Sequence, residues 1–447
     1  MAVHENREAF IPFRRSDIIQ LCVEDGQLDA ADAEKFKNFC QILSAYYHFR
    51  FHKTLEIVKD NYVPFNPNTD IQPLKQPTTE QCEEMETKVV DAFKYILERA
   101  NYIPLPDAVI QQSLATKSLI DLKTEIDFED FDKSLFYYRG DTNKTIPIKE
   151  LNFRQKEKTI KIFEQIVLLI KFKEENYFLN KKPKNGNLRF VPGKMYIYFY
   201  KNIPQSDIDL LFPNVTTSMT WKDRLLFGVP AVGTAIPLLL KAVPNVLLLI
   251  AAILLVMNAS SLVEALHIEQ SKLQNVMPIL VATLSLTIGL GGFAVKQYTN
   301  YKNKKIKFQK EVTETLFFKN LANNDSVFQL LTDIAEEEEC KEIILAYYHL
   351  LTSPAPLTPE QLDSRIETWM EKKLGAKINF DLHGPLNNLA EIHASVMSLC
   401  EGEEDKYDIS LLSYDEQGFC RVLPLEKAMT VIDRVWDNVF RYNDVIV

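Results

Sequence analysis

The sequence predicts an α+β membrane protein, in which one soluble part precedes and another follows a two-helix transmembrane hairpin along the chain. Three observations indicate this fold class. The stretch from Leu225 to Val295 holds segments that are long and apolar enough to lie inside a bilayer. Apolar residues at helical and then at strand spacing precede this stretch. Mostly helical patterns follow it, so the two flanking parts differ in kind.

The length of 447 residues has room for about three domains. We expect a helical N-terminal region over residues 1–110 and an α+β domain over residues 111–220. A membrane hairpin is expected over 221–295. Residues 296–447 then form a basic juxtamembrane helix and an acidic, mostly helical, winged-helix-like domain.

Helices open the N-terminal region. Ser16 or Asp17 can cap a helix beginning at Ile18, and Asp29 or Asp32 can cap a second helix. Apolar residues recur at helical spacing in the second one, which predicts a packed helix. These residues are Phe36, Phe39, Cys40, Leu43, Tyr46, Tyr47 and Phe51.

The apolar period changes after a third predicted helix over residues 79–101. Beyond it, apolar residues are spaced as in strands, and Arg139–Asp141 predicts a hairpin turn between two of them. The predicted strands are 135–138, 145–148, 167–172 and 195–200. This mixture of helices and strands predicts the α+β domain.

The second predicted crossing covers residues 276–295, which contain no charged side chain. At about 1.5 Å per residue this helix spans roughly 30 Å, the thickness of the hydrocarbon layer. Ser285, Gly289 and Gly292 lie on one stripe of the helix. Small residues let a neighbouring helix approach closely, so the stripe predicts helix packing.

The first part of the hairpin is less regular, because prolines interrupt it. We interpret residues 244–263 as a full crossing and residues 225–240 as a proline-bent segment that lies on or re-enters the membrane. Lys241 then lies at a membrane end. In the alternative, a long tilted helix places Lys241 inside the membrane, where a charge indicates function.

Basic residues set the predicted orientation. Lys302, Lys304, Lys305 and Lys307 follow the second crossing, where they can contact anionic lipid head groups. By the positive-inside rule both soluble parts face the cytoplasm. We therefore expect a multi-pass protein of the bacterial cytoplasmic (inner) membrane, or of an organelle inner membrane in a eukaryote.

The C-terminal part is acidic, with 26 Asp and Glu against 11 Lys and Arg from Glu311 onward. Glu336–Glu339 lie in a predicted helix over 326–351, and we interpret them as a solvated face rather than a metal or partner site. A helix over 384–399 and strands over 409–413 and 419–423 follow an order like that of a winged helix. Acidic residues beside the wing repel phosphate, so no nucleic acid is expected as a partner.

Motifs that carry chemistry are absent from the sequence, which has no GxxxxGK[ST], HExxH, GxSxG or strand-borne GxGxxG. The six cysteines form no CxxC pair. His48 and His52 have a spacing that could place both on one metal, but no third ligand follows, so aromatic packing is favoured. We expect no catalytic residue, no cofactor and no metal.

Several blocks resemble a known family. They are Arg7–Ile19, Tyr46–Glu56, Phe136–Asp141, Phe199–Pro213, Leu316–Asn324 and Asp333–Tyr348. In this order, around the apolar stretch, they look like the transmembrane protein 143-like family, a domain of unknown function found in bacteria, plants and a mitochondrial animal protein. The resemblance implies a membrane protein and brings no catalytic residues.

Three functions are compatible with this pattern. The leading hypothesis is a membrane-anchored, non-enzymatic interaction or scaffold protein that binds a protein partner or itself. The alternative is an oligomeric pore or transporter subunit, suggested by Lys241 and by the small-residue stripe. The third is a metal-dependent enzyme that uses the acidic clusters.

Overall fold

A computed structural model describes most of the chain as α+β. It describes residues 10–68, 73–106, 108–110, 123–149, 155–181, 188, 190–218, 316–397 and 406–439, and isolated positions between 285 and 313. The chain divides into two compact units. Unit 1 combines Met1–Ile110, Phe128–Gln205 and Lys319–Val447, and unit 2 combines Gln111–Asp127 and Ser206–Phe318.

The helices and strands are numbered here in chain order. The helices are α1 (Arg15–Glu24), α2 (Ala30–Tyr62), α3 (Thr79–Arg99), α4 (Glu175–Lys181), α5 (Asp325–Leu351), α6 (Pro359–Leu374), α7 (His383–Glu391) and α8 (Leu425–Asp437). The strands are β1 (Ile103–Pro104), β2 (Lys123–Glu125), β3 (Phe131–Lys149), β4 (Gln155–Phe172), β5 (Met195–Pro204), β6 (Thr216–Ser218), β7 (Asn320–Asn323), β8 (His393–Met397), β9 (Lys406–Ser410), β10 (Leu412–Tyr414) and β11 (Cys420–Val422).

Several helices of unit 1 begin with a side-chain N-cap. The Asp29 carboxylate accepts from the backbone N–H of Asp32 and starts α2. A capping box of Thr78 and Gln81 starts α3. In contrast, α1 begins at Arg15 with no side-chain cap, three residues before the predicted start. Each cap satisfies backbone donors that a helix end otherwise leaves without a partner.

The main sheet of unit 1 is antiparallel, in the order β1-β3-β4-β5-β7. One face of β4 and β5 packs against the helices in a common core. Val167 and Leu169 of β4 and Ile197 and Phe199 of β5 are fully buried there. Burying a side chain of this kind stabilises a fold by about 1.5–3 kcal/mol.

Helix α5 crosses the centre of this core and is buried along much of its length. Its N-cap residue is Asn324, whose φ of 50° is unusual for a residue other than glycine. The side-chain oxygen of Asn324 accepts a hydrogen bond from the backbone N–H of Ile197 at 3.2 Å. The backbone N–H of Asn324 donates to the Ile197 carbonyl at 2.8 Å. These bonds hold the start of α5 against β5.

The length of strand β3 contradicts one prediction. The expected hairpin turn at Arg139–Asp141 is wrong, because β3 continues from Phe131 to Lys149 and pairs with β4 along this length. Gly140 sits inside the strand with a φ of 70°, and a Cβ there would lie 2.6 Å from the Glu164 carboxylate. Glycine permits this positive φ within a strand. In the sequence, a glycine at such an irregular strand position looks the same as a glycine in a turn.

The C-terminal part differs from the predicted order in one helix. The helix predicted over 384–399 ends at Glu391, and β8 then pairs with β9 in a hairpin. The hairpin β10–β11 lies where the wing was predicted, with its turn at 415–418. Helix α6 begins with a capping box of Thr358 and Gln361 and ends at Gly375 in the left-handed conformation.

Unit 2 contains the pair β2–β6, which is antiparallel. The described positions between 285 and 313 have helical backbone, as do residues 316–318.

No helix within the described ranges is both long enough and apolar enough to cross a membrane. This finding contradicts the predicted α+β membrane fold with its two-helix hairpin, and the expected multi-pass localisation in a cytoplasmic or organelle inner membrane. The predicted segments 225–240 and 244–263 lie outside the described residues, as does most of 276–295. The hydropathy of a window measures a preference for any apolar environment, so an apolar run alone does not establish a crossing.

Candidate functional site

An open groove of about 870 Å³ lies in unit 1. It is bounded by α2, by α3, by the end of α7 and by α8, with β8 and β9 at one side. Its aromatic and charged lining residues include Tyr46, Phe49, Arg50, Lys53, Tyr95, Glu391, His393, Asp408 and Arg434. A volume of this size is typical of ligand-binding clefts.

The groove face of α2 follows from its sequence spacing. Tyr46, Phe49, Arg50, Lys53 and Ile57 recur at intervals of three, one, three and four residues, so they share one side of the helix. The core residues of α2 lie on the adjacent face; they include Leu43, Tyr47, Leu55 and Val58. The same helix therefore supplies a hydrophobic core and a binding surface.

Arg50 is held in the groove by aromatic rings. Its guanidinium carbon lies 5.7 Å from the ring centroids of both Tyr46 and Tyr47. One of its terminal nitrogens is 3.7 Å from the Glu391 carboxylate. Cation–π contacts of this kind orient a guanidinium without neutralising its charge.

Glu339 of α5 lies close to these groove residues. Its side chain is 3% exposed, and one oxygen accepts from Arg99 at 3.3 Å and from Asn388 at 2.5 Å. Burial raises the pKa of Glu339, while Arg99 and Arg50 oppose that shift. The guanidinium carbon of Arg99 also lies 5.3 Å from the ring centroid of Tyr95. Arg99 therefore connects Glu339 to a wall of the groove.

The charges that face the groove are of two kinds. The Glu391 carboxylate is close to Arg50, and Asp408 contacts the His393 ring at 3.0–3.1 Å. Neither Lys53 nor Arg434 makes a side-chain ion pair with any residue in the described ranges. The groove thus combines aromatic walls with two cations that are available to a ligand.

The acidic row of α5 is a separate cluster, and the prediction that Glu336–Glu339 form a solvated face is wrong. Glu338 and Glu339 are 4% and 3% exposed. The Glu338 carboxylate accepts from the Ile11 backbone N–H at 3.1 Å, and Lys341 donates to the Ile11 carbonyl at 2.6 Å. Glu336, Glu337 and Glu338 therefore bind the N-terminal segment of their own chain.

In the described part of the chain, no three His, Cys, Asp or Glu side chains are placed to hold a metal ion. The His48 and His52 rings stack with centroids 6.4 Å apart. His48 contacts Glu336 at 2.8 Å through its Nδ1 atom. Both contacts are with protein groups.

Of the residues to which the sequence assigned roles, the described ones do not line the groove. Ser285, Gly292 and Lys302 have exposed helical backbone in unit 2, and a Cβ at Gly292 would meet nothing within 4 Å. Lys241, Gly289, Lys304, Lys305 and Lys307 lie outside the described residues. Helix packing and head-group contact at these positions stay predictions.

The groove residues were missed by the sequence reasoning. Tyr46 was assigned to the core together with Tyr47, although only Tyr47 is fully buried. A usable signal existed on α2, because the aromatic residues Tyr46 and Phe49 and the basic residues Arg50 and Lys53 share one face beside its apolar stripe. The contributions of α7 and α8 could not be found this way, since they come from distant parts of the chain.

A family model described as a protein of unknown function (DUF3754) matches residues 163–326. The matched part is a domain of unknown function. It begins within β4 and ends at the start of α5, so it includes β5, β6 and β7. No solved structure matches the chain.

Proposed function

We propose that the groove of unit 1 binds an acidic segment of a protein partner, and that the protein is a non-enzymatic interaction or scaffold module. One observation carries this proposal: Lys53 and Arg434, both without an ion-pair partner among the described residues, line a groove with aromatic walls. Aromatic and arginine side chains are enriched where proteins bind each other. The two cations favour an acidic ligand.

An extended peptide suits the shape of the groove better than a small molecule does. Tyr46, Phe49, Arg50 and Tyr95 are only partly buried, so the groove is open along its length. Small-molecule sites usually enclose most of the ligand surface. An open groove can instead bind side chains of a segment whose backbone stays at the surface.

A nucleic acid fits less well. Glu391 and Asp408 both face the groove with side chains that are 59% exposed. Carboxylates at these positions repel a phosphate backbone, and the excess of acidic residues from Glu311 onward adds to that repulsion. A protein segment can place its acidic side chains next to the cations of the groove and uncharged side chains next to Glu391 and Asp408.

The test measures fluorescence anisotropy of a labelled peptide, EEFEEL, and of its uncharged counterpart, QQFQQL, at low ionic strength. We expect the acidic peptide to bind about tenfold more tightly, because it engages several cations. The double substitution Lys53→Gln and Arg434→Gln should remove most of that difference. Lys88→Gln is the control, since Lys88 is an exposed lysine of α3 outside the groove lining.

Two results would contradict the proposal. One is equal binding of the two peptides to the unmodified protein. The other is acidic-peptide binding that the double substitution leaves unchanged. A labelled single-stranded oligothymidylate serves as the alternative ligand. If it binds more tightly than the acidic peptide does, the groove is a nucleic-acid site and not a protein-binding site.

The finer family assignment is also a proposal. Two of the blocks that resemble the transmembrane protein 143-like family, Phe199–Pro213 and Leu316–Asn324, fall within the matched residues 163–326. They support a relationship to that family. The function proposed here does not depend on it.

A further inference from the structure

The contact between Arg50 and Glu391 is long for an ion pair. The nearest nitrogen and oxygen are 3.7 Å apart, beyond the usual length of a hydrogen bond. The Glu391 side chain is 59% exposed and has no other ion-pair partner within the described ranges. Solvent and salt therefore weaken this contact, and another anion can replace Glu391 at little cost.

Arg50 keeps its position without Glu391. The rings of Tyr46 and Tyr47 hold its guanidinium, each at 5.7 Å. Both rings belong to α2, the helix that carries Arg50 itself. The cation is therefore already oriented toward the groove when Glu391 moves away, so a ligand does not need to order it.

The position of Glu391 in its helix is unfavourable for a carboxylate. Glu391 is the last residue of α7, where the backbone carbonyls place the negative end of the helix dipole. A carboxylate there does not stabilise the helix. Its interaction with Arg50 is the favourable contact that the described structure provides for it.

We propose that Glu391 is a built-in competitor for the groove, whose carboxylate occupies Arg50 until an acidic side chain of the partner replaces it. This inference rests on the proposed function. It also specifies the partner further: one acidic group binds Arg50 in place of Glu391, and a second binds Lys53 or Arg434. A segment with a single acidic residue gains too little to bind.

The experiment compares Glu391→Gln with Asp408→Asn, using the labelled EEFEEL peptide on the full chain. Both substitutions remove one carboxylate from the groove, and both side chains are 59% exposed, so the two changes are matched in charge and exposure. Asp408 contacts His393 rather than Arg50. Its substitution therefore reports the general effect of removing a negative charge.

We expect Glu391→Gln to tighten binding by about three- to fivefold, the range for release of a partly exposed ion pair, and Asp408→Asn by less than about twofold. In an Arg50→Gln background, Glu391→Gln should have no larger effect than Asp408→Asn, because the competition has been removed. Thermal unfolding of each variant verifies that it is folded.

The outcomes separate this inference from the proposed function. If the peptide binds neither the unmodified protein nor Glu391→Gln, the proposed function fails and this inference fails with it. If the peptide binds but both single substitutions tighten it equally, Glu391 is not a competitor, while the proposed function stands. Comparable tightening in the Arg50→Gln background leads to the same conclusion.

Discussion

The pKa of the Glu342 carboxyl in α5 shows how strongly burial can change the titration of one side chain. Its side chain is enclosed in the core of unit 1, where Asn101 donates to one carboxylate oxygen at 2.7 Å. Burial raises the pKa of this carboxyl to about 8, although the Asn101 hydrogen bond acts in the opposite direction. The folded protein therefore holds Glu342 largely protonated at neutral pH.

The substitution Glu342→Gln should stabilise the protein at high pH and have little effect at low pH. Below about pH 4 the carboxyl is protonated in both the folded and the unfolded chain, so its ionisation contributes nothing. As the pH rises toward 8, the unfolded chain ionises while the folded protein resists, and the wild type loses stability. The expected gain at pH 8 is roughly 3–5 kcal/mol.

Urea unfolding at pH 4.5 and pH 8 measures this difference. Glu84→Gln is the control, because Glu84 is an exposed residue of α3 paired with Lys88. A gain for Glu342→Gln that is the same at both pH values would show that the carboxyl is not held protonated by the fold.

The role of Glu338 could not be predicted from its neighbours in the sequence. Four successive glutamates in a helix are typical of a solvated surface, and local spacing supports no other interpretation. The groups that compensate the burial of Glu338 are Lys341, one turn away, and Arg139 and the Ile11 backbone, which are far away in the chain. Only the tertiary structure brings them together.

At the scale of elements, α5 fastens the N-terminal segment to unit 1. Lys341 donates to the carbonyls of Ile11 and Phe13 at 2.6 and 3.1 Å and to Glu338 at 2.8 Å. Both charged side chains are almost completely buried. Removing one charge of such a pair leaves the other without compensation in a medium of low polarity.

Lys341→Met should therefore destabilise the protein by about 3–5 kcal/mol and release the N-terminal segment. Denaturant unfolding measures the first effect. Limited trypsin cleavage after Arg14 and Arg15 measures the second, since these residues are bound to Glu336 and Glu337 while the segment is docked.

Lys377→Met is the matched control, because Lys377 is 62% exposed and its ion pair with Glu371 is long. We expect this variant to be as stable and as resistant to trypsin as the wild type. If Lys341→Met has an equally small effect, the buried pair does not hold the segment.

The helices were more predictable than the sheet, for a physical reason. Helical spacing and caps are local, so α2, α3 and α5 lie close to where the sequence placed them. Strand boundaries depend on a partner elsewhere in the chain. Gly140 illustrates this, because pairing with β4 decides that the chain continues through it as a strand.

At the scale of the whole molecule, unit 1 is assembled from three separate stretches of chain. Helix α5 from the last stretch packs against α2 and α3 from the first, and aromatic pairs such as Phe39–Tyr347 join them with ring centroids 4.2 Å apart. Burial of α5 therefore depends on residues that precede it by more than about 220 positions.

A fragment of residues 319–447 should consequently fail to fold by itself. Without α2 and α3 the apolar side chains of α5 remain exposed, and a chain of this size then lacks most of its core. Circular dichroism during urea titration tests this expectation, with the full chain as the reference. A cooperative transition of the isolated fragment would show that its core is self-sufficient.

The bonds between Ile11 and α5 also constrain the order of events during synthesis. The Ile11 N–H and its Glu338 acceptor are 327 residues apart. At roughly 5–20 residues per second, a ribosome needs some tens of seconds to make the acceptor after the donor has been made. The start of the chain must therefore wait, with Ile11 still exposed to solvent or held by a chaperone, until α5 has left the exit tunnel.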